Sequence, residues 1–210
     1  MTELILVRHG QTAWNVVEVF RGRSDIDLDE TGFRQAELLA DYLSERRIEA
    51  VYSSPLKRAL KTARAIATKH GLKVIATESL NDLKFGEWEG LPVTEVREKY
   101  PTLFTEWVEK PHLVEIPGGE GLDDVKQRVL NFVNDLVTRH KGTVVLVSHR
   151  VVHKVLTLAL LGVDNSYFWN IKLDTAAMST FAYENNRWVL TEHNNTSYLR
   201  PLMQPKLKDF

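Results

Sequence analysis

Short apolar runs alternate with amphipathic segments along most of the chain. Residues 4–7, the run Leu-Ile-Leu-Val, contain no alternating polar position, which is typical of a short strand buried on both faces. Residues 31–46 instead place apolar side chains on one face at helical spacing, and Thr31 or Asp29 is the candidate N-cap. The chain therefore begins with a predicted strand that is followed by a predicted helix.

The same two patterns recur further along the chain. Buried strands are predicted at residues 50–52, 73–76 and 143–147. Helices are predicted at residues 55–70, with Pro55 in the first turn, 122–136 and 151–161, and a closing pair of strands at 178–183 and 187–193. This alternation predicts an α/β protein, a three-layer α/β/α sandwich with a mainly parallel central sheet. We expect residues 1–210 to form a single domain.

The regular pattern fades between residues 81 and 121. Glycines and four prolines divide this segment into short pieces. We interpret it as an insertion of loops and short helices over the sheet, and long insertions of this kind often serve as lids or substrate loops. Three tryptophans are interpreted as packing residues and not as an aromatic substrate cage: Trp88, Trp107 and Trp169.

Composition excludes several classes of protein. The 27 basic and 28 acidic side chains give a net charge of −1, without the basic excess that is usual in nucleic-acid-binding proteins. The absence of cysteine excludes disulfides, thiolate nucleophiles and Cys-ligated zinc. No run approaches the ~20 apolar residues that span a bilayer, and the N-terminus lacks the apolar run of a secretory signal. We expect a cytoplasmic protein that begins at Met1, with no nucleic-acid or membrane partner.

Three predicted strands end in polar or basic residues. Arg8 and His9 follow the first strand, Arg58 lies just beyond the second, and His149 and Arg150 follow the strand at 143–147. In open parallel sheets the ligand crevice lies outside the carboxyl ends of the strands. Arginines there favour a phosphate or a carboxylate, so the pattern predicts an anion site that contains two histidines.

A metal is not expected at this site. The neighbours of the two histidines are arginines, which repel a cation, whereas hydrolytic metal sites usually add Asp or Glu. The spacing of His149 and His153 can place two zinc ligands on one helical face, but Arg150 and the missing acidic partner argue against that alternative. We therefore predict no metal and no cofactor.

Five short motifs resemble the histidine phosphatase superfamily, which includes the cofactor-dependent phosphoglycerate mutases. The opening Arg-His-Gly-Gln-Thr with Trp-Asn at residues 8–15 is similar to the family's first motif, and the others follow in the family's order at residues 53–59, 85–90, 118–120 and 148–149. The resemblance covers nearly the whole chain and implies a phosphoglycerate mutase-like fold.

The resemblance implies roles for individual residues. His9 resembles the nucleophile that forms a phosphohistidine. Arg8, Arg58 and His149 resemble the residues that hold the phosphoryl oxygens. Positions close to the substrate are implied for Gln11, Thr12, Asn15 and Gly22.

Two positions depart from the family's pattern. Asp82 stands where the proton donor is usually a glutamate, so its carboxyl must be brought closer by the backbone or by a water; Glu87 and Glu89 are the nearby alternatives. Arg150 stands where many members have glycine after the second histidine, and it is expected either to bind a substrate carboxylate or to point into solvent.

Within this family, the residues near Asp82 favour a phosphatase over a mutase. Leu83 and Phe85 replace the Arg and Tyr with which the mutases grip a sugar-acid, and residues 90–120 contain no Arg-Arg pair. Residues 107–112 and 161–164 resemble the metal-independent phosphoserine phosphatases, although α-ribazole phosphatases share much of the pattern. We expect a metal-independent phosphomonoesterase acting on a small, phosphoserine-like phosphate ester.

Several alternatives stay open from the sequence. A phosphoglycerate mutase with the same phosphohistidine is one, and a non-catalytic protein that binds a phosphorylated ligand is another. Apart from the substrate, the protein either has no partner or forms a homodimer with a second copy of the chain. The tail at residues 201–210 is expected to fold over the site, to pack on a partner subunit or to be disordered.

Overall fold

The computed structural model describes residues 2–202, and its centre is a six-stranded sheet in the order β3-β2-β4-β1-β5-β6. The strands are β1 (Thr2–Arg8), β2 (Ile48–Ser53), β3 (Val74–Ala76), β4 (Thr143–Ser148), β5 (Met178–Glu184) and β6 (Arg187–Asn195). The first four are parallel, whereas β5 runs antiparallel to both β1 and β6. The prediction of a mainly parallel sheet is therefore confirmed.

Helices cover both faces of the sheet. They are α1 (Ala13–Val16), α2 (Glu30–Leu43), α3 (Lys57–Lys69), α4 (Val93–Lys99), α5 (Pro101–Glu109), α6 (Leu122–Arg139) and α7 (Arg150–Leu160). Alternate residues of β1 face opposite layers: Leu4 and Leu6 pack with α6 and α7, whereas Ile5 and Val7 pack with α2 and α3. Both faces of β1 are therefore buried, which explains its unbroken apolar run.

The structure shows which residue caps α2 and at which residue α3 begins. Asp29, not Thr31, caps α2, because its carboxylate accepts a hydrogen bond from the Gly32 N–H at 2.8 Å. Helix α3 begins at Lys57, so Pro55 precedes the helix and does not lie in its first turn. At the start of this helix, the backbone N–H of Lys57 donates to the carboxylate of Asp25, which lies 2.8 Å away on a separate loop.

Residues 81–121 form the two short helices α4 and α5 together with brief 3-10 turns. Trp88 and Trp107 are buried in the core, in agreement with a packing role. Trp169 packs edge-on against Trp107 and Phe168, but it is also 39% exposed and lines the cavity described below. Its indole N–H donates to the Trp107 carbonyl at 2.9 Å, which turns part of the ring toward that cavity.

The structure describes only the start of the C-terminal tail. Residues 201 and 202 belong to the 3-10 turn Ser197–Leu202, and the remainder of the tail lies outside the described residues.

Between residues 2 and 202, no helix has the length and the apolar character that crossing a membrane requires.

Candidate active site

A cavity of about 460 Å³ opens at the carboxyl ends of the parallel strands. Strand register brings three of those ends together, since Arg8 of β1 lies beside Ser148 of β4, and Ser53 of β2 lies beside Val147. Arg8 and His9 form part of the cavity wall. The predicted convergence of basic residues at this edge of the sheet is thus present.

His9 is 1% exposed and is held in one orientation by the backbone. Its Nδ1 lies 2.6 Å from the Gly10 carbonyl, and because a carbonyl only accepts, the proton resides on Nδ1. Burial and the nearby Arg58 and Arg8 lower the pKa of His9 well below its ordinary value. The ring is therefore neutral near pH 7, with Nε2 as the unprotonated and nucleophilic nitrogen.

Gly10 permits this arrangement because its backbone lies against the start of α2. A side-chain Cβ at this position would come within 2.5 Å of the Gly32 carbonyl oxygen. The Gly10 N–H donates to the hydroxyl of Thr62 on α3, at 3.1 Å. The loop that carries His9 is thereby fixed against two helices.

Arg58 lies beneath the cavity, fully buried near the start of α3. Its guanidinium donates to the carbonyls of Ser24 at 2.7 Å and Gly22 at 2.8 Å, and to the carboxylate of Asp82 at 3.2 Å. Neither Arg58 nor Gly22 is among the residues that line the cavity, and the expectation that Gly22 lies close to the substrate stays a prediction. Its carbonyl positions Arg58, and its φ of +49° is a conformation that favours glycine.

His149 is fully buried, with its ring centre 5.2 Å from that of His9. The Ser54 hydroxyl donates to Asn81 at 3.0 Å, so it accepts from Nε2–H of His149 at 2.8 Å. This leaves Nδ1 of His149 directed at Asp82, 3.5 Å from its carboxylate. Burial and Arg58 lower the pKa of His149 well below the ordinary value, so this ring is also neutral near pH 7.

Asp82 is 5% exposed and lines the cavity between these groups. Glu87 and Glu89 do not line it: Glu87 accepts from the Tyr100 hydroxyl at 3.0 Å, and Glu89 accepts from the Phe85 N–H at 3.0 Å. Among the three carboxylates considered from the sequence, Asp82 is therefore the one placed to reach a bound ligand.

The backbone around Asp82 is held by a network from the motif at residues 118–120 and from α6. Arg128 donates to the carbonyls of Ser79 at 2.8 Å and Asp82 at 3.2 Å. Glu120 accepts from the Lys84 N–H at 2.9 Å and pairs with Arg23, also at 2.9 Å. The main chain thus places the short side chain of Asp82 close to Arg58. Placement by the backbone is one of the two ways in which the shorter acid was expected to reach the substrate.

The remaining predicted residues divide into two groups. Gln11, Asn15 and Arg150 line the cavity, so Arg150 does not simply point into solvent. Thr12 is fully buried and does not line it. The backbone N–H and the hydroxyl of Thr12 both donate to the side-chain oxygen of Asn15, each at 2.9 Å. Thr12 therefore orients Asn15, which lines the cavity.

This constellation agrees with sequence and structure comparisons. A model of the histidine phosphatase superfamily (branch 1) matches residues 4–196. The chain belongs to the histidine phosphatase superfamily. Phosphoserine phosphatase 1 of Hydrogenobacter thermophilus is 45% identical over 200 residues, which cover 95% of each chain.

Solved structures with the histidine phosphatase fold confirm the predicted fold. Bacillus stearothermophilus YhfR superposes with a TM-score of 0.91 at 30% identity, over 95% of this chain and 100% of its own. A mutant phosphoserine phosphatase from Entamoeba histolytica, in complex with phosphoserine, superposes with a TM-score of 0.85 at 29% identity, over 95% and 100% of the two chains.

Sequence reasoning missed Arg21 of this histidine phosphatase. Its side chain lines the cavity and donates to the carbonyls of Trp14 at 3.1 Å and Val19 at 3.4 Å. Burial lowers the pKa of Arg21 to about 10, and burial with repulsion from Arg150 lowers that of Arg8 to about 9. Both stay charged at pH 7, so the cavity attracts anions. Arg21 follows an irregular segment, where no periodicity assigns it a face.

The zinc alternative does not form. His153 is 1% exposed, and its Nε2–H donates to the Val7 carbonyl at 2.9 Å, away from the Ser54 partner of His149. Across residues 2–202 there is no group of three or more His, Asp or Glu side chains arranged to hold a metal ion.

Proposed function

We propose that this histidine phosphatase is a metal-independent phosphomonoesterase that hydrolyses a small phosphate ester through a phosphohistidine on His9. The observation that carries the proposal is the neutral, backbone-oriented His9 beside Arg8, Arg58, His149 and a nearly buried Asp82. Phosphoryl transfer needs an aligned nucleophile and positive charge around the equatorial oxygens, and these residues supply both.

In the first step Nε2 of His9 attacks phosphorus, and the bond from phosphorus to the ester oxygen breaks. Asp82, in its acid form, gives its proton to the departing oxygen. Arg8 and Arg58 neutralise charge on the phosphoryl oxygens, and the ring centre of His149 lies 5.2 Å from that of His9. The Gly10 carbonyl, which accepts from Nδ1–H, stabilises the positive charge that the ring gains.

In the second step a water oxygen attacks the phosphohistidine. Asp82, now a carboxylate, accepts a proton from this water, and the bond between phosphorus and Nε2 breaks. Inorganic phosphate leaves, His9 returns to its neutral form, and Asp82 is again protonated. The same carboxyl group thus acts as acid and then as base, as microscopic reversibility suggests for two mirrored proton transfers.

The residues next to Asp82 offer no polar group that would hold a sugar-acid for return of the phosphoryl group. Leu83 is fully buried and Phe85 is 4% exposed, so neither offers a polar grip on a sugar-acid. The relative with 45% identity is named a phosphoserine phosphatase. Phosphoserine is accordingly the first substrate to be tested.

The test incubates purified protein, with EDTA present, against phosphoserine, 3-phosphoglycerate, α-ribazole phosphate and p-nitrophenyl phosphate. Phosphate release and 2-phosphoglycerate formation are followed together, with His9→Ala as the blank. We expect phosphate release that is absent from the blank. Phosphoglycerate interconversion with little release would indicate a mutase, and no reaction with any compound would indicate a binding protein.

A further inference from the structure

Arg150 lines the cavity without a protein acceptor. Among the described residues its guanidinium makes no hydrogen bond and no ion pair, and its buried Nε has no partner. The guanidinium carbon lies 5.9 Å from the ring centre of Trp169, over the face of the indole. Buried donors without an acceptor are costly, so an acceptor from outside the chain would complete this site.

Arg21, on the same cavity wall, is only partly satisfied. One of its terminal nitrogens donates to the Trp14 and Val19 carbonyls, whereas its buried Nε has no partner within residues 2–202. The Nε of Arg58 also lacks a partner, but both terminal nitrogens of Arg58 are used, since they bond Asp82 and two backbone carbonyls. Arg21 and Arg150 therefore retain donors that the floor of the pocket does not use.

Among the described residues, no carboxylate of the cavity wall bonds to Arg21 or to Arg150. A transferring phosphoryl group carries about two negative charges, which Arg8 and Arg58 match. The wall also contains Glu18, Asp82 and Asp174. Asp174 is paired with Lys172 at 3.0 Å, and Asp82 enters the proposed first step in its acid form, which leaves Arg58 to the phosphoryl group. Burial lowers the pKa of Arg150, whereas a negative charge on Asp82, and to a smaller extent on Glu18, raises it without bonding to Arg150. Repulsion from Arg150 also lowers the pKa of Arg21, which an added anion would relieve.

We propose that Arg21 and Arg150 form a second anion-binding subsite, so that the preferred substrate is a phosphate ester whose alcohol part carries another oxyanion. A carboxylate and a second phosphate share the required chemistry, because guanidinium groups bind both with paired N–H donors. This inference rests on the proposed phosphatase function and narrows its substrate class.

The test uses substrate pairs that differ in the second anion. Phosphoserine is compared with phosphoethanolamine, and 3-phosphoglycerate with glycerol 3-phosphate, for a carboxylate. Fructose 1,6-bisphosphate is compared with fructose 6-phosphate for a phosphate. We expect kcat/KM to favour the anionic member of at least one type of pair, and Arg150→Gln to lower that preference about 10- to 100-fold, as for a lost charged hydrogen bond.

Two further variants separate a local contact from a general change of charge. Arg150→Lys keeps the charge and should retain most of the preference, whereas Arg21→Gln should reduce it. Arg34→Gln removes the same charge from an exposed ion pair on α2 and should leave the preference unaltered. Equal loss for both members of every pair in Arg150→Gln, or no preference in the native protein, would overturn the proposal.

Binding measurements make this test independent of turnover. By calorimetry, His9→Ala should bind phosphoserine more tightly than phosphoethanolamine, and the difference should shrink when Arg150→Gln is added. If the native protein hydrolyses nothing while this difference persists, the phosphatase function fails and the anion subsite stands. If hydrolysis occurs but affinities within every pair are equal, the subsite fails and the phosphatase function stands.

Discussion

The floor and the mouth of the cavity are built in opposite ways. On the floor, His9, Arg58, His149 and Asp82 are each at most 5% exposed and are bonded to the backbone, to the Ser54 hydroxyl or to one another. At the mouth, Val16 is 66%, Val108 51% and Trp169 39% exposed. His9 and His149 of the floor directly follow β1 and β4, whereas these three residues of the mouth lie on short helices and a 3-10 turn.

This difference separates two parts of the function. A floor whose dipoles and charges are already oriented can stabilise a transition state without rearranging, which is the usual source of electrostatic catalysis. The exposed apolar side chains and free arginine donors at the mouth gain partners only when a ligand arrives. We therefore assign the type of reaction to the floor and the choice of substrate to the mouth.

The largest effect is expected from His9→Ala on the floor. Turnover should fall to the blank, because His9 lines the cavity, whereas His149, the other neutral imidazole of the floor, does not. Circular dichroism and thermal unfolding should show a retained fold, and acid quenching of the native protein with labelled substrate should trap a phosphohistidine. His70→Ala, at the end of α3, is the matched control. Full activity of His9→Ala would contradict the assignment.

Asp82→Asn should lower turnover of an alkyl phosphate roughly 10²- to 10⁴-fold, because the leaving alkoxide then lacks its proton donor. The loss should be much smaller with p-nitrophenyl phosphate, whose leaving group needs no proton. The measurement is kcat for both substrates in parallel. Glu87→Gln is the control, since Glu87 bonds Tyr100 outside the cavity. An unchanged alkyl rate in Asp82→Asn would transfer the role to another carboxylate.

Sequence and structure agree on the floor for a physical reason. Residues that follow strands of a parallel sheet must meet at one edge, so Arg8, His9 and His149 can be placed together from the chain alone. Thr12 and Gly22 lie beside the site in the sequence, yet they bond Asn15 and Arg58 and do not line the cavity. Proximity along a motif does not state which way a side chain or a carbonyl points.

The mouth is harder to predict because its segments have no repeating pattern. Arg21 follows an irregular loop and Trp169 lies in the 3-10 turn Asn165–Asn170, so neither has a periodic face. The glycine-rich motif at residues 118–120 resembles the family, but only the folded chain shows that Glu120 bonds the loop that carries Asp82. Such contacts join residues that are far apart in sequence.

Arg128→Leu tests whether the network behind the floor positions Asp82. Removal of its bonds to the Ser79 and Asp82 carbonyls should lower kcat for an alkyl phosphate about 10-fold, with little change in KM, since a small misplacement of a reacting group is costly. The kcat for p-nitrophenyl phosphate should change less, which a general loss of stability would not produce.

Two variants sharpen this test of positioning. Arg128→Lys keeps a donor and should restore part of the rate, and Arg139→Leu removes an exposed arginine of the same helix as a control. A loss of equal size for both substrates in Arg128→Leu would assign Arg128 to stability alone.

The smallest effect is on the free energy of unfolding. It follows from the exclusion of water from the buried histidines in and next to the floor. Burial lowers the pKa of His153 from 6.5 to about 4. Between these pH values the unfolded chain binds a proton that the folded chain refuses, so the free energy of unfolding falls as the pH falls, by up to about 3 kcal/mol for this group. His9 and His149, whose pKa values are also lowered, act in the same direction.

His153→Gln, which keeps an N–H donor for the Val7 carbonyl, should therefore lose less stability than the native protein between pH 7 and pH 4. Urea unfolding at several pH values measures this difference, and the carboxylates that titrate in the same range contribute equally to both proteins. His193→Gln is the control, because its exposed ring lies outside the core. Parallel stability curves for native protein and His153→Gln would mean that water reaches this side of the floor, and the contrast between a dry floor and a wet mouth would then be lost.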